Sequence, residues 1–403
     1  MAITIVNEPS PFWPICNDVE WVFKSDETAQ PNFSFTIELY IEGALHSTHE
    51  VYPEVGDSAK FNISTIGRAV STSNYPEAAT LSQELNPDYT WSLIIYEKYG
   101  TPPVTDLGSA TNTSGINFLN GSFRYGELYP SQYDYQDYDL DTGGKGDLFL
   151  TDFPRDKRDL VSYNEAKFLA IINSGGDNLT GYVKLYDISN TQIASATWIG
   201  FLGTGLSTPM ISVGPLSLVS GTSLLQADFN DCYYYTIQLK QTADASKDSE
   251  LYKIYYDTSC SAYSRRRLHW LNRFGAWDSF TFTLLSEDST SIQSNRYTRA
   301  TGRWNGDDYQ RNLSDGNQMT MSKFMQDRLI LNSDWIHEDI QNWLVRSLYE
   351  SPRVYLQNDF GTSVFEPVNI TNAETIVKQR RKFGLMQEQV TIDRTYTKVS
   401  QLG

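Results

Sequence analysis

Alternation is the feature that most constrains this chain. In VEWVFKS, Val19, Trp21 and Phe23 fall on one side of an extended backbone, and in NFSFTIELYIEG so do Phe33, Phe35, Ile37, Leu39 and Ile41. A two-residue period places apolar side chains on one face of a strand, so both segments read as half-buried antiparallel strands. TWSLIIYEKYG, Thr90 to Gly100, reads the same way, and NISTIGRAV between them suggests a short helical excursion. The segment 1–110 is therefore expected to form a small β-sandwich of the Ig/FnIII-like kind.

The turn-forming run YGTPPVTDLGSATNTSG then marks a boundary. KFLAIINS, GYVKLYDIS, IASATWIGF and CYYYTIQLKQ follow at spacings of about a dozen residues, which predicts a second sandwich over 111–260. Ahead of these strands lies YPSQYDYQDYDLDTGGKGD, rich in Tyr and Asp and poor in core formers. ELYKIYYD, WDSFTFTLL, RVYLQND and QVTIDRTYTKVS are further strands around one helix, SDWIHEDIQNWLVRSLYESP. Its stripe of Ile336, Ile340, Trp343, Leu344, Ser347 and Leu348 has helical spacing, Ser333 or Asp334 is placed to cap it, and Pro352 to stop it. The expectation is a mainly β chain: two sandwiches, then a mixed α+β C-terminal domain over 261–403. Three domains suit 403 residues, and 40% hydrophobic against 20% charged content excludes wholesale disorder.

The formal charge is −17, unevenly spread: residues 1–260 hold 14 Lys and Arg against 33 Asp and Glu, and residues 261–403 hold 18 against 16. Such an acidic surface repels polyanions and argues against sequence-specific nucleic-acid binding by the first two thirds. Cys16, Cys232 and Cys260 form no CxxC pair, so free thiols are expected. MAITIVNEPSPFWP lacks the basic and apolar runs of a signal peptide, and no apolar run approaches a membrane span; synthesis and folding in a cytoplasm are expected.

Catalytic signatures are missing. The sequence has no GxxxxGK[ST], no GxGxxG after a strand and no GxSxG, and Gly143, Gly144 and Gly146 in TGGKGD lack phosphate-loop spacing. Asp137, Asp139 and Asp141 alternate as calcium-loop carboxylates do, but Thr142 and Leu148 stand where such a loop needs Gly and Glu; a solvated acidic loop is the plainer reading. His46 and His49 form an HxxH without a third ligand in an obvious place. Acidic residues and Trp are plentiful enough for a glycosidase, yet no motif selects a carboxylate pair. No enzymatic activity, cofactor or metal is expected.

SAYSRRRLHWLNRFGAWDSFTFTL concentrates arginine and tryptophan in this acidic chain. These residues suit a single-stranded nucleic acid or a protein interface, and the Phe280, Phe282, Leu284 alternation favours the sheet over a stacking platform. Arg265, Arg266, Arg267, Trp270, Arg273, Trp277, Trp335 and Trp343 are accordingly expected at an inter-subunit contact, facing acidic domains of a neighbouring copy. A salt-bridged structural turn is the bland alternative.

NRFGAWDSFTFTL, WLVRSLYESPRVYLQND and EPVNI, joined to the N-terminal QPNFSFTIELYIEG, resemble virion proteins of tailed phages of Bacteroidetes, including crAss-like podoviruses. The likeness covers the first 45 residues and most of Leu268 to Ile392, with a weaker echo between. It implies a structural tail or neck component in the virion, a homo-oligomeric ring of 12 or 6 between portal and fibres that surrounds the DNA passage during ejection. Twelve copies would sum to about −200, keeping DNA from adhering to a lumen. A receptor- or glycan-binding tail module is the alternative, and a polysaccharide hydrolase a third.

Overall fold

The structure is a computed structural model that describes residues 3–54, 56–70, 81–84, 90–128, 135–142, 147–201, 207–244, 246–259, 262–304, 306–311, 313, 316–357, 365–371 and 384–399. The chain is mainly β and divides into two compact units, Met1–Thr258 with Trp270–Ser279, and Ser259–His269 with Phe280–Gly403.

The first ten strands are β1 (Thr4–Asn7), β2 (Phe12–Pro14), β3 (Glu20–Lys24), β4 (Ser34–Ile41), β5 (Ala44–Val51), β6 (Ser58–Asn62), β7 (Ser82–Glu84), β8 (Thr90–Gly100), β9 (Pro103–Asn112) and β10 (Ile116–Leu119). One sheet runs β1-β3-β6 and the facing sheet β2-β10-β8-β4-β5, with β9 also on β8. The alternation legible in β3 and β4 fills the space between them. Trp21, Phe23, Phe35, Ile37 and Leu39 are fully buried, and Trp91, Leu93 and Ile95 of β8 complete the core. Phe23 and Phe35 meet edge-on at 4.9 Å. Each such aliphatic or phenyl side chain contributes about 1.5–3 kcal/mol through burial.

The turn-rich run expected to be a linker is instead a hairpin. Gly100 has a φ of 111°, and from Pro103 the chain returns antiparallel along β8 as β9. The period-2 signal fails there because β9 is largely exposed and has no apolar face to present. The expected boundary at residue 110 thus falls within β9, and the sandwich ends with β10. The short helical excursion is α1 (Ser64–Val70), and a one-turn helix, α2 (Tyr125–Leu128), comes after β10.

The second sandwich uses β11 (Leu160–Val161), β12 (Phe168–Ala170), β13 (Leu179–Tyr186), β14 (Gln192–Phe201), β15 (Pro209–Ser212), β16 (Tyr234–Gln241) and β17 (Tyr252–Tyr256). A sheet in order β11-β17-β16-β13-β14 faces β12-β15-β7. Val183, Leu185, Tyr235, Ile237, Leu239 and Ile254 are fully buried, as is Leu218 of α3 (Pro215–Gly221). Across the β13–β14 pair, Trp198 lies over Gly181, where an added Cβ would sit 2.3 Å from the indole ring. Gly181→Ala should therefore cost about 1–3 kcal/mol by displacing Trp198, read as a lower urea midpoint with an unchanged slope.

In the second unit, β18 (Arg266–Leu271), β19 (Trp277–Phe282), β20 (Glu287–Thr298), β23 (Gln318–Asn332), β25 (Val354–Gln357), β26 (Phe365–Ile370) and β28 (Gln389–Val399) form a sheet in order β19-β18-β25-β26-β28-β23-β20. The turn of the β18–β19 hairpin together with the strand residues that flank it, Trp270–Ser279, groups with the first unit. β21 (Arg303–Trp304) pairs with β22 (Tyr309–Gln310), and β24 (Ile336–His337) with β27 (Leu385–Met386).

The prominent helix, α4 (Glu338–Ser347), starts later than its periodicity suggests, because Ile336 and His337 are drawn into the pairing with β27. His337 is the cap, its Nδ1 accepting from the Asp339 N–H at 3.3 Å. Ser333 instead accepts from the Glu388 N–H, and Asp334 from the Trp335 N–H. Glu338 and Asp339 in the first turn and Arg346 in the last complement the helix dipole. Trp343, Leu344, Ser347 and Leu348 are buried.

Candidate functional site

The most unusual surface belongs to the ribbon of β20 and β23. Its strands pair continuously from Glu287↔Ile330 to Thr298↔Gln318, with a bulge at Asn295/Arg296. At the base, Leu329 and Leu331 of β23 and Val390 and Ile392 of β28 are buried. Further out the ribbon becomes an arm: all twelve residues of β20 are exposed, as are the last five of β28.

Local chemistry explains the extended form. Ser, Thr, Gln and Asn fill β20, so neither face demands a core, and cross-strand bonds such as Thr290 Oγ1 to Asp327 Oδ1 at 2.7 Å tie the strands together. The Arg328 fork reaches Asp393 on β28, with Nε to Oδ1 at 2.8 Å and Nη2 to Oδ2 at 3.4 Å. These charge-assisted bonds raise the Arg328 pKa.

Past β20 lies the small β21–β22 hairpin, where Trp304 pairs across from Tyr309. Both rings are open to solvent, Trp304 at 68% and Tyr309 at 50% exposure, and the Arg311 guanidinium lies 5.4 Å from the Tyr309 ring centre. Ile292, Leu313, Met321 and Phe324 are also exposed.

The residues expected at a subunit contact lie mostly inside the molecule. Trp270 and Arg267 are buried on β18, Trp277 on β19 and Trp343 on α4. Arg267 donates through Nη1 to Thr281 Oγ1 at 2.6 Å. Arg273 bridges Glu127 at 2.9 Å and Asp152 at 2.8 Å. Arg265 and Arg266 are half-buried, whereas Trp335 is 58% exposed. The reason is that β18 and β19 are buried on both faces, so alternation does not separate an outward set from an inward one. Trp270, Trp277, Trp343, Arg267 and Arg273 are thus corrected to interior positions.

The three aspartates do not converge either. Asp139 accepts from the N–H groups of Asp141 and Ser174, each at 3.1 Å, while Asp141 is ion-paired with Lys247. Asp137 and Asp141 lie in two separate 3₁₀ turns. Among the described residues no three His, Cys, Asp or Glu side chains are grouped to hold a metal. His46 and His49 both contact Ser47 Oγ. The TGGKGD glycines and Cys260 lie outside the described residues; Cys16 and Cys232 are free, and burial pushes the Cys232 thiol up to about 12.

The first unit also buries a charged network. The Lys167 Nζ, wholly enclosed, sits 2.7 Å from Asp159 Oδ2, which accepts from the Tyr252 hydroxyl at 2.8 Å. Asp278 lies in the same interior; desolvation pushes its carboxyl up to about 6, against the opposing pull of Lys167. Burial likewise raises Asp152, with Arg273 opposing it. A carboxyl near 6 in the same interior as a lysine has the makings of acid–base chemistry, but both side chains are buried.

In the second unit a cleft of about 380 Å³ is lined by Leu284, Leu285, Asn332, Ser333 and residues 387–389. Its Glu388 carboxylate is engaged by Gln341 at 2.7 Å and the Tyr349 hydroxyl at 2.6 Å, which anchors α4 and raises the Tyr349 pKa through burial first and this bond second. Among the described residues no helix is long and apolar enough to cross a membrane.

No family model matches the chain, and no curated protein does. Among solved structures, dimeric latent PorU from Porphyromonas gingivalis aligns over 82% of this chain at 7% identity with a TM-score of 0.18. The chain spans 32% of that protein's length.

Along β20 the arm carries no apolar alternation, so its sequence does not mark it as a strand. Its one signal is Asn305-Gly306 between Trp304 and Tyr309, a turn dipeptide flanked by aromatic residues.

Proposed function

We propose that this chain is a non-enzymatic structural subunit of a phage virion, assembling as a ring or hub in the tail or neck around the DNA passage, between portal-side and fibre-side components. The observation that carries this reading is the arm. A ribbon whose outer strand is exposed over all twelve residues, and whose inner strand buries only Ser322 and its base, gains little stability by itself, so its length is explained by a surface that covers it on assembly. Charge supports another copy as that surface. Residues 289–326 hold five Lys and Arg against three Asp, whereas residues 1–260 have a net charge of −19. The resemblance of NRFGAWDSFTFTL and its companions to crAss-like virion proteins supplies the setting.

Light scattering across concentration, with imaging of the particles, tests the reading. The full chain should form a closed oligomer of six or twelve copies. A variant in which an Asn-Gly turn replaces Ser289–Arg328, closing the arm after the Asp288↔Leu329 pair, should stay monomeric with an unchanged urea midpoint for the first unit. Undiminished assembly by the shortened chain would refute the arm's role.

The tip favours a second reading. Exposed Trp304 and Tyr309 are the amphipathic rings that stack on sugars, as in a receptor- or glycan-binding tail module. A glycan array positive for the full chain and negative for Trp304→Ala would support it; equal signals from both would remove the tip from consideration.

A further inference from the structure

Edge strands need protection against unwanted pairing, and most edges of the first unit have it. β5 carries His46, His49 and Glu50, β9 carries Pro103 and Asp106, β2 ends in Pro14, and β6 contains Lys60. The edges β1, β7, β11 and β12 are four residues long or shorter.

β14 is different. It is the edge of its five-stranded sheet, ten residues long, and QIASATWIGF contains neither a charge nor a proline. Among the described residues its ladder partner is β13 alone. Ala196 and Trp198 face the core, while Ile193 and Ile199 are exposed at 39% and 66%. A strand of this kind is a template for another strand.

β20 has the matching properties. It too is an edge, twelve residues long, and Ser289 through Asn295 form an uncharged, proline-free run with Ile292 at its centre. Docking that run on β14 buries no charge, and the flanking charges are complementary. Residues 289–326 have a net charge of +2, and residues 111–260 hold ten Lys and Arg against eighteen Asp and Glu.

We infer that β20 of one copy adds to the β14 edge of a second copy, extending its five-stranded sheet. This inference rests on the assembly reading and names the surface that receives the arm. Because donor and acceptor edges differ, the contact is head-to-tail, the kind that closes into rings.

The test uses two full-chain variants that each keep one half of the contact: the shortened arm above, and Ile193→Lys with Ile199→Lys, which places edge-blocking charges on exposed positions. Each alone should be monomeric, and their mixture should form a one-to-one dimer that does not grow. If the wild type assembles but the mixture stays monomeric, or if the β14 variant assembles as the wild type does, β14 is not the acceptor while the assembly reading stands. A wild-type chain that remains monomeric at all concentrations overturns both. Hydrogen exchange on the unmodified chain gives an independent reading should the lysine variant fold poorly. Amides of β14 should slow at least tenfold on assembly, and unchanged exchange there refutes the docking.

Discussion

Replacing Lys167 with methionine should lower the unfolding free energy of the first unit by about 3–5 kcal/mol. Methionine keeps most of the bulk but leaves the Asp159 carboxylate, 4% exposed, without the cation 2.7 Å away. The cost comes from the stranded charge rather than from the lost attraction, since forming the pair already required desolvating both groups. A control separates these contributions. In urea at pH 7, Lys167→Met combined with Asp159→Asn should recover most of the loss, because no charge is then stranded. A loss below about 1 kcal/mol at pH 7 would mean that water reaches the pair.

Asp278→Asn should act in the opposite direction, stabilising the first unit at pH 7 by up to about 3 kcal/mol. The folded chain holds the Asp278 carboxyl near 6, above its ordinary value of 3.8, so its ionised form is the unfavourable one in the interior. Between these two values the folded chain binds more protons at this site than the unfolded chain. The site therefore adds stability as pH falls from 7 towards 4 and withdraws it as pH rises through 6. Asparagine has no such titration, so its advantage should be full at pH 7 and near zero at pH 4. Asp152, raised by burial as well, repels Asp278 as a like charge, so removing the Asp278 charge relieves both carboxyls in the same direction. An advantage independent of pH would show that Asp278 is not the titrating group.

What could be read from the sequence follows from how each residue earns its position. Trp21, Phe23, Phe35 and Leu39 lie where their alternation puts them, because one face of each strand is apolar and one is not. The same rule fails at β18 and β19, where Arg267, Trp270 and Trp277 are enclosed and no outward face remains. It fails again in β20, where every side chain is exposed and nothing need alternate. The α4 stripe was legible from Trp343 to Leu348, but its start was not. The pairing of Ile336 and His337 with Leu385 and Met386 joins segments nearly fifty residues apart, which no local window contains. Asp137, Asp139 and Asp141 read more plainly as a solvated acidic loop than as a calcium loop, but no local window shows that folding gives Asp141 a lysine from more than a hundred residues downstream.

The division of the β18–β19 hairpin bears on how the protein is made. Its turn groups with the first unit, where Asn272 donates to the Leu150 carbonyl at 2.8 Å and Phe274 meets Phe123 at 5.4 Å. A nascent chain that has emerged only as far as Thr258 lacks this plug of Trp270, Phe274 and Trp277. Synthesis must proceed to Ser279 before the first unit can close, and by then its completion is threaded through the opening strands of the second.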